Sequence, residues 1–591
     1  MKLSKRSKAR IFLSLIFFGL LVFIIGKSIK GKEINLFLLL LETLIFLGIV
    51  YISKDIITHI KEKYGELALK ISKEIVQKIC SLILFLYGFY LVFSVIAYDY
   101  IEDLISYPKP VHIRTLLFMT IDLLIGFIFI ILAKVLLDKQ KRSTKILYPS
   151  LIFSIIYLLI GGENIITVFP LILVMAMAYY TKDVLDKERY IYSWEEKTLD
   201  IFFIFILVLF STIYTKKRST SSTYILGYRF LYIIFSLVLL FIVGKIIFSY
   251  MKKGRGLGAN YSLEELDKLI EKYSSKQSLA AGLAYLNDKS LYFYEDDKAE
   301  KTVAFQYGII NNKAIVMGEP FGKDEDIGDA LYEFNEACIK SGLSPIFYEV
   351  GEKFTLALHD YGYDFMKFGE NALVDLDEFS LTGRKKSTER NILNRFKKEG
   401  YKFKVVNPPY LRDFLDNLEK ISESWLGSRE EKGFSLGFFD RNYLSNSDIA
   451  IVLDNKGQIT AFANIMPNNN KEVLTIDLMR YDRQKNVNSM MDFLFLNLYL
   501  YGQENSYKYF NLGMAPLANV GLIKSAYLSE RIAYLVYKHG NKFYSFEGLR
   551  NYKKKYASVW LPKYIAYSKG NWLLYSLLAL ALIDRKSNIL D

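Results

Sequence analysis

The sequence predicts a chain of two parts, a multi-span α-helical membrane domain followed by an α/β domain. The chain has 591 residues, of which 52% are hydrophobic and 23% are charged, and the two kinds are unevenly distributed. The first 255 residues contain apolar runs near the length of about 20 residues that a helix needs to cross a bilayer. After residue 256 the apolar runs shorten to strand and helix length, with charges between them.

We predict about eight membrane spans, with seven or six as alternatives. The runs lie near 10–27, 34–53, 79–98, 114–137, 147–161, 164–181, 199–214 and 229–250. The runs near 147–161 and 199–214 are short, and the segment 147–181 could instead form a tight hairpin. The first run lacks a small-x-small cleavage site and is followed by further spans, so we do not interpret it as a cleaved signal peptide.

The distribution of lysine and arginine predicts the orientation. Basic residues are concentrated at 2–10, 54–78 and 139–145, whereas the loop near 99–113 is acidic. Because cytoplasmic loops carry the excess of basic residues, this pattern places the N-terminus and the C-terminal half in the cytoplasm. The basic run at 216–218 disagrees with eight spans in this orientation.

The second part predicts two α/β lobes, at 256–400 and 401–591. Ser262 and Glu265 have the spacing of a capping box that opens a helix. Strand-like runs lie near 291–294, 304–307, 314–317 and 345–350, and then near 449–454, 458–465, 472–479, 508–512 and 533–537. Helical patterns lie at 326–341, 411–426 and 487–503. Three strands, a helix and a strand in each lobe indicate a duplicated α/β fold of the acyltransferase type.

Charge and composition favour an anionic partner. The formal net charge is +14, and the segment 381–398 contains Arg390, Arg395 and five further cations. A helix with this charge would attract the phosphates of a nucleic acid or of lipid headgroups. A solvated basic helix is the alternative.

Two other stretches carry polar side chains that could bind a substrate or take part in catalysis. Asp477 and Arg480 lie in or just after an apolar strand, where they could hold a cationic amine or form a structural ion pair. Near the C-terminus, residues 543–556 interleave aromatic and cationic side chains, which suits stacking on a nucleobase beside phosphate. A surface helix with an aromatic inner face is the alternative.

Several classes of site are not expected. The sequence has no GxxxxGK[ST] and no GxGxxG pattern, so nothing indicates a nucleotide cofactor site. Two cysteines and four scattered histidines do not predict a metal centre or a disulfide framework. No histidine neighbours a candidate serine or cysteine nucleophile. We therefore expect no cofactor and no metal, and direct transfer between two bound substrates.

An ordered set of motifs resembles one known family. The motifs are Glu431-Lys-Gly-Phe-Ser-Leu-Gly437, Ala461-Phe-Ala-Asn464, Asp477-Leu-Met-Arg480, Met491-Asp-Phe-Leu-Phe495, Leu512-Gly-Met-Ala-Pro516 and Phe546-Glu-Gly-Leu-Arg-Asn-Tyr-Lys553. Over roughly residues 260–585 the chain resembles the bacterial aminoacyl-phosphatidylglycerol synthases, the multiple peptide resistance factor family.

The resemblance implies a function and a location. Members carry a tandem acetyltransferase-like (GNAT-type) cytosolic domain behind a multi-span region of the bacterial plasma (inner) membrane. They transfer lysine or alanine from aminoacyl-tRNA to phosphatidylglycerol, which makes the membrane less anionic and lowers the binding of cationic antimicrobial peptides. The longest members have about fourteen spans and flip the lipid, which about eight spans do not predict here.

The resemblance also implies site residues. Asp477 would hold the amino group or orient the substrate, while Arg480, Arg550 and Lys553 would bind phosphate or stabilise the oxyanion. Glu530 is a further acidic candidate for catalysis. Candidate substrate-binding residues are Glu547, which replaces a common glutamine, with Tyr552, Lys555, Arg390 and Arg395. The general base, the oligomeric state and the choice between lysine and alanine stay open, although lysine is the commoner activity of the family.

Two rival hypotheses remain at this point. The acceptor could be diacylglycerol, a glycolipid or a peptidoglycan precursor. Alternatively, the membrane part could be a lipid translocase or sensor, and the second part a binding module without catalysis.

Overall fold

The computed structural model describes two compact units. It covers residues 65, 67–93, 95, 116–160, 165–217, 223–254, 256–257, 262–273, 281–467, 471–485, 487–539 and 546–584. The described residues up to Tyr190, together with Phe203–Gly254, form the first unit. The segment Ile191–Phe202 and the residues after Gly254 form the second unit.

The described part of the first unit is helical. Its helices are α1 (Leu67–Phe93), α2 (Leu116–Leu137), α3 (Ser143–Ile160), α4 (Ile165–Tyr180), the later part of α5 (Trp194–Lys217) and α6 (Thr223–Met251). Helices α1 and α2 pack closely, because a Cβ on Gly88 would lie 2.8 Å from the Gly126 carbonyl oxygen. Such close contact between glycines is common where helices pair in a bilayer.

Three helices of the described residues are long and apolar enough to cross a membrane, within Leu67–Phe93, Thr120–Leu137 and Ser143–Ile160. The predicted spans near 10–27 and 34–53 lie outside the described residues. The total of about eight spans therefore stays a prediction.

The second unit is built on one mixed β-sheet. Its strands are β1 (Ser290–Glu295), β2 (Lys301–Ile310), β3 (Lys313–Met317), β4 (Phe321–Gly322), β5 (Ser344–Val350), β6 (Tyr363–Asp375), β7 (Lys402–Val406), β8 (Asp448–Leu453), β9 (Ile459–Ile465), β10 (Val473–Tyr481), β11 (Tyr509–Pro516) and β12 (Val559–Ser568). The strands lie in the order β1-β2-β3-β5-β12-β6-β11-β10-β9-β8-β7, with β4 paired to β2.

Helices of the second unit connect these strands. They are α7 (Leu263–Tyr273), α8 (Ile327–Lys340), α9 (Glu352–Asp360), α10 (Ser387–Lys398), α11 (Arg412–Leu426), α12 (Arg441–Ser445), α13 (Met490–Glu504), α14 (Leu528–His539), α15 (Phe546–Lys554) and α16 (Leu573–Ile583). The predicted capping at Ser262 is confirmed, since its hydroxyl accepts a hydrogen bond of 3.3 Å from the Glu265 amide.

The predicted duplication is confirmed by the topology. In the first lobe β1, β2 and β3 form an antiparallel meander, α8 follows, and β5 lies parallel to β3. In the second lobe β8, β9 and β10 repeat the meander, α13 follows, and β11 lies parallel to β10. In the first lobe the Phe334 ring of α8 stacks on Phe305 of β2, with 4.5 Å between ring centroids. In the second lobe the Phe493 ring of α13 stacks on Phe396 of α10, with 4.4 Å between centroids.

The prediction of a strand near 533–537 is wrong, because these residues lie in α14. A short apolar run does not distinguish a strand from a helix by itself. Leu528, Ile532 and Leu535 recur at helical spacing, and this longer pattern corresponds to the structure.

The C-terminal strand β12 crosses the predicted boundary at residue 400. It follows the second lobe in sequence but pairs with β5 and β6 of the first. Its position is unexpected from sequence, because Pro562 lies inside it and proline is rare in central strands. A register shift next to Pro562, between Lys563 and Tyr564, interrupts the pairing there. The lobes therefore share one sheet, and β12 belongs structurally to the first.

Candidate active site

A large cavity of about 1130 Å³ lies between the two lobes. It is lined by residues of β3, β5 and β6 from the first lobe and of β10, β11, α14 and α15 from the second. The carboxylate and lysine side chains in its lining are Glu319, Glu349, Asp477, Asp584, Lys432, Lys553 and Lys563. Carboxylates and amines thus meet in one space that is otherwise mostly apolar.

Asp477 lies in β10 and lines this cavity. Its Oδ1 accepts a hydrogen bond of 3.0 Å from the Gly437 amide, and its Oδ2 accepts one of 2.7 Å from the Tyr443 hydroxyl. Burial raises the pKa of Asp477, while these two hydrogen bonds oppose the rise. A Cβ on Gly437 would lie 1.7 Å from Oδ2, so only glycine leaves room for this carboxylate.

A buried ion pair supports the loop that holds Asp477. Lys289 and Asp288 form this pair, and both side chains are almost fully buried. The second oxygen of Asp288 accepts a hydrogen bond of 2.6 Å from the Phe434 amide. Phe434 has a φ of 59°, which is unfavourable for a bulky residue. The pair therefore stabilises a strained loop, 433–437, whose last amide binds Asp477.

Lys553 in α15 also lines the cavity. The side chain is 7% exposed, and its Nζ donates a hydrogen bond of 2.7 Å to the Met514 carbonyl. Burial lowers the pKa of Lys553 to about 8, and the nearby Glu349 opposes the shift. A buried amine that is largely protonated near neutral pH can stabilise a developing negative charge.

Arg480 does not line the cavity. Only 2% of its surface is exposed, and its guanidinium makes two hydrogen bonds of 2.8 Å to the two carboxylate oxygens of Glu431. It also donates to Ser422 and lies 5.0 Å from the centre of the Trp425 ring. The expected role of Arg480 in binding phosphate does not fit this arrangement. The side chain is placed to position Glu431 and Trp425, and Trp425 does line the cavity.

Arg550 lies behind the cavity wall, close to a buried carboxylate. Its Nη2 is 3.9 Å from Oε2 of Glu370, and its guanidinium is 5.4 Å from the centre of the Trp560 ring. Glu370 itself pairs with Lys367 at 2.7 Å and accepts a hydrogen bond of 2.8 Å from Asn519. Arg550 is thus part of a polar network that joins α15 to β6 and β12.

The remaining predicted residues are divided between the cavity and the surface. Tyr552 lines the cavity. Glu547 is exposed in the first turn of α15, and Glu530 is half-buried in the first turn of α14 without lining the cavity. Lys555 is exposed, lies 3.4 Å from Asp492 and covers the Tyr552 ring.

Arg390 and Arg395 lie on α10, away from the cavity. Arg390 donates a hydrogen bond of 2.7 Å to the Gly383 carbonyl, and Arg395 donates one of 2.6 Å to the Asn488 carbonyl. The inner face of α10 packs Ile392, Leu393 and Phe396 against the core. Its outer face exposes Arg395, Lys397 and Lys398 beside a shallow depression.

The sequence reasoning missed several lining residues. Glu349 is the clearest, because burial raises its pKa to about 7 and its φ of 62° is unusual for glutamate. Asp584 follows the apolar α16, and burial raises its pKa as well. A charged residue at the end of an otherwise apolar strand or helix was the available signal for both. Among the residues that the structure covers, no group of His, Cys, Asp and Glu side chains is arranged to hold a metal ion.

One wall of the cavity continues into an exposed apolar surface. Ile532 and Val536 of α14 line the cavity. On the same helix Leu528 and Leu535 are 71% and 54% exposed, and Ile523 before it is 71% exposed. An amphipathic helix normally buries such a stripe, so its exposure marks an interaction surface. We call residues 522–536 the apolar ridge.

The chain is similar to known proteins of one family. Residues 267–567 match the family model described as phosphatidylglycerol lysyltransferase, C-terminal. A phosphatidylglycerol lysyltransferase of Bacillus subtilis is 33% identical over 527 residues, which cover 87% of this chain and 60% of that protein. One from Staphylococcus xylosus is 34% identical, over 66% of this chain and 45% of that protein. The chain thus spans about half to three fifths of the length of these relatives.

The chain is also similar to proteins of known structure. The structure of L-PGS from Bacillus licheniformis is 38% identical, covers 56% of this chain and 99% of its own, and superposes with a TM-score of 0.49. A C-terminal domain of a putative lysylphosphatidylglycerol synthetase from Agrobacterium fabrum is 34% identical, over 54% of this chain and 95% of its own, with a TM-score of 0.47. On the extent of the family match, the chain belongs to the phosphatidylglycerol lysyltransferase family.

Proposed function

We propose that this chain transfers a lysyl group from lysyl-tRNA to a glycerol hydroxyl of phosphatidylglycerol at the cytoplasmic face of a bacterial plasma membrane. The observation that carries the proposal is the cavity, in which carboxylates, a buried lysine and an apolar wall come together. Membership of the family supports the same reaction class. The product would carry added positive charge, which would lower the attraction of cationic antimicrobial peptides to the membrane.

The donor needs a site for its ammonium groups. Asp477 presents a carboxylate whose position is set by Gly437 and Tyr443. A cationic amine next to such a carboxylate favours its ionised form, against the effect of burial. Asp477 would therefore hold an amino group of the lysyl ester and orient its carbonyl. Glu319 and Asp584 add negative charge to the lining, which favours lysine over alanine.

The chemistry requires little beyond positioning and charge stabilisation. The aminoacyl ester is already activated, so the hydroxyl oxygen of the lipid can attack the carbonyl carbon directly. Negative charge then develops on the carbonyl oxygen, and Lys553 is the buried cation that would stabilise it. The tetrahedral intermediate breaks its bond to the ribose oxygen, and tRNA leaves.

Two surfaces suit the two large substrates. The apolar ridge would contact the acyl chains of the lipid, because it is continuous with the cavity wall. The exposed cations of α10 would contact the phosphates of tRNA. The tRNA and the lipid would therefore enter the site from different sides of the second unit.

The test uses the full chain in vesicles that contain phosphatidylglycerol. Radiolabelled lysyl-tRNA and alanyl-tRNA are supplied separately, and labelled lipid is measured with and without ribonuclease. We expect ribonuclease-sensitive lysyl-phosphatidylglycerol and much less alanyl product. Label on another lipid, on alanyl product only, or on no lipid at all would contradict the proposal. Asp477→Ala should abolish formation of the aminoacyl-lipid. A binding module without catalysis would form no aminoacyl-lipid as the wild type or as the variant.

A further inference from the structure

We propose that Glu349 is the general base that takes the proton from the attacking hydroxyl of the lipid. This inference rests on the proposed function, because it assigns a role within that reaction.

The backbone of β5 is distorted at Glu349. Tyr564 of β12 pairs with Val350 and the next residue, Ile565, pairs with Tyr348, so Glu349 has no opposite residue and forms a bulge. Its φ of 62° lies in the left-handed region, which glutamate rarely adopts. Bulges of this kind often occur beside active sites, where they redirect a side chain.

The bulge changes which side of the sheet the following side chains occupy. Phe347 packs in one core cluster and Tyr348 in the cluster on the other face, as in a regular strand. Val350 returns to the cluster of Phe347, although strict alternation would place it with Tyr348. Tyr348 and Glu349 are therefore successive residues that both line the cavity. Without the bulge, the carboxylate would point into the opposite core.

Glu349 also differs from the other carboxylates of the cavity. Asp477 accepts two hydrogen bonds, Glu319 accepts one of 2.9 Å from the Gly351 amide, and Asp584 accepts one of 2.9 Å from the Ser435 hydroxyl. Glu349 accepts none from any residue that the structure describes. Its oxygens are thus available to a substrate, and a strained, half-buried carboxylate in this state has no evident structural purpose.

The surroundings suit proton transfer. Burial raises the pKa of Glu349 to about 7, and the positive charges of Lys563 and Lys553 oppose this rise. A carboxylate with a pKa near the working pH is ionised often enough to accept a proton and is basic enough to take it. Without a role in proton transfer, the burial of this carboxylate would only destabilise the fold.

The Glu349 carboxylate accepts the proton of the lipid hydroxyl. At the same time the oxygen of that hydroxyl forms a bond to the carbonyl carbon of the aminoacyl ester. The carbonyl electrons move to the oxygen, which faces Lys553. As the carbonyl re-forms, the bond to the ribose oxygen breaks, and the protonated Glu349 returns the proton to that oxygen. No oxidant, reductant or further reactant is needed.

The experiment compares three variants of the full chain in vesicles. Glu349→Gln keeps the size of the side chain but cannot accept the proton, and we expect kcat to fall by about 100-fold or more with little change in KM for lysyl-tRNA. Glu349→Gly removes the carboxylate and suits the positive φ, so it should fold at least as stably as the wild type. Added formate should restore part of its activity. Glu352→Gln is the matched control, since Glu352 is exposed at the start of α9 outside the cavity lining, and its activity should be unchanged.

The outcomes separate this inference from the proposed function. If the wild type forms no aminoacyl-lipid, the proposed function fails. If the wild type is active and Glu349→Gln is equally active, the assignment of Glu349 is wrong while the function stands. A rise in KM for lysyl-tRNA at unchanged kcat would also overturn the assignment, because it would make Glu349 a donor-binding residue. An activity of Glu349→Gly that formate does not raise would likewise count against a base.

Discussion

At the scale of single residues, the site depends on close contacts that fix the positions of two carboxylates. Asp477 is held by an amide and a hydroxyl from the loop 433–437 and from α12. Glu349 is held by a backbone that glutamate does not favour. Asp477 is therefore positioned by elements distant in sequence, and Glu349 by the bulge in its own strand opposite β12, so the residues around both carboxylates are also sensitive to mutation.

The first prediction concerns Gly437. In Gly437→Ala the new Cβ would lie 1.7 Å from the Asp477 carboxylate oxygen, so Asp477 must move. We expect transfer of the aminoacyl group to fall by about 100-fold, as a displacement of about 1 Å at a reacting group can cause. Gly570→Ala is the control, because no atom lies within 4 Å of its new Cβ. Equal activity of the two variants would show that the Asp477 position is unimportant.

A second prediction is the pH dependence of the reaction. Glu349 acts as a base only when ionised, so kcat/KM should rise as the pH approaches the pKa of about 7. Lys553 stabilises the oxyanion only when protonated, so kcat/KM should fall above the pKa of about 8. The charged groups that act on Glu349 are Lys563 on β12, Lys553 on α15 and Asp584 after α16. Glu319, after β3, lines the same cavity.

A bell-shaped profile with its maximum between about 7 and 8 is therefore expected, measured as initial rates of lipid labelling. Glu349→Gln should lose the rise on the acidic side, and the descent on the alkaline side should remain. A flat profile in the wild type, after correction for hydrolysis of the donor, would contradict both assignments.

At the scale of elements, α14 is the clearest functional segment. It lines the cavity with one face and exposes leucines at another, so it can contact both the headgroup and the acyl chains of a lipid. It is also the element that sequence reasoning took for a strand. The error arose because the short apolar run at 533–537 does not by itself distinguish a strand from a helix.

The third prediction tests the apolar ridge. Leu528→Gln with Leu535→Gln should leave the thermal stability nearly unchanged, because both side chains are largely exposed. The KM for phosphatidylglycerol in vesicles should rise several-fold, since each exposed leucine loses apolar contact with lipid. Leu411→Gln is the matched control, at a leucine that is 81% exposed and lies before α11. An unchanged KM in the double variant would remove the ridge from the lipid site.

At the scale of the whole molecule, the second unit includes a short segment from earlier in the chain. Residues Ile191–Phe202 belong to the second unit although they precede α6 in sequence. Glu195 in this segment pairs with Lys313 at 2.7 Å, and the Lys313 side chain is completely buried. Lys313 also donates a hydrogen bond of 2.7 Å to Asn571. A fragment that starts at residue 256 would lack this partner.

The fourth prediction follows from that buried pair. Glu195→Ala leaves Lys313 buried without its carboxylate, which should lower the free energy of unfolding by about 3–5 kcal/mol. The measurement is thermal unfolding of the purified chain in detergent. Glu195→Leu combined with Lys313→Met removes both charges and should recover most of the loss.

The control for this measurement is an exposed pair. Glu264→Ala removes a pair between Glu264 and Lys268 whose side chains are largely exposed, and the unfolding temperature should not change measurably. If Glu195→Ala behaved like Glu264→Ala, the segment Ile191–Phe202 would contribute little to the second unit.

The sequence alone determined the features that depend on local pattern. Apolar runs indicated the helical first part, and the alternation of strands with helices indicated the duplicated α/β order. The family motifs pointed to Asp477 and Lys553, which the structure places in one cavity lining. These features were accessible because periodicity and motif spacing involve residues that are close along the chain.

Only the tertiary structure decided which groups face one another. Arg480 pairs with Glu431, 49 residues away, and so is turned from the cavity. Strand β12 lies between β5 and β6, and Glu349 reaches the cavity through a bulge opposite β12. Contacts of this kind depend on long-range pairing and on backbone distortion. A charged residue at the end of an apolar run marks Glu349 as unusual, but the sequence does not show which groups face it, so the chemistry of the cavity becomes visible only in the folded chain.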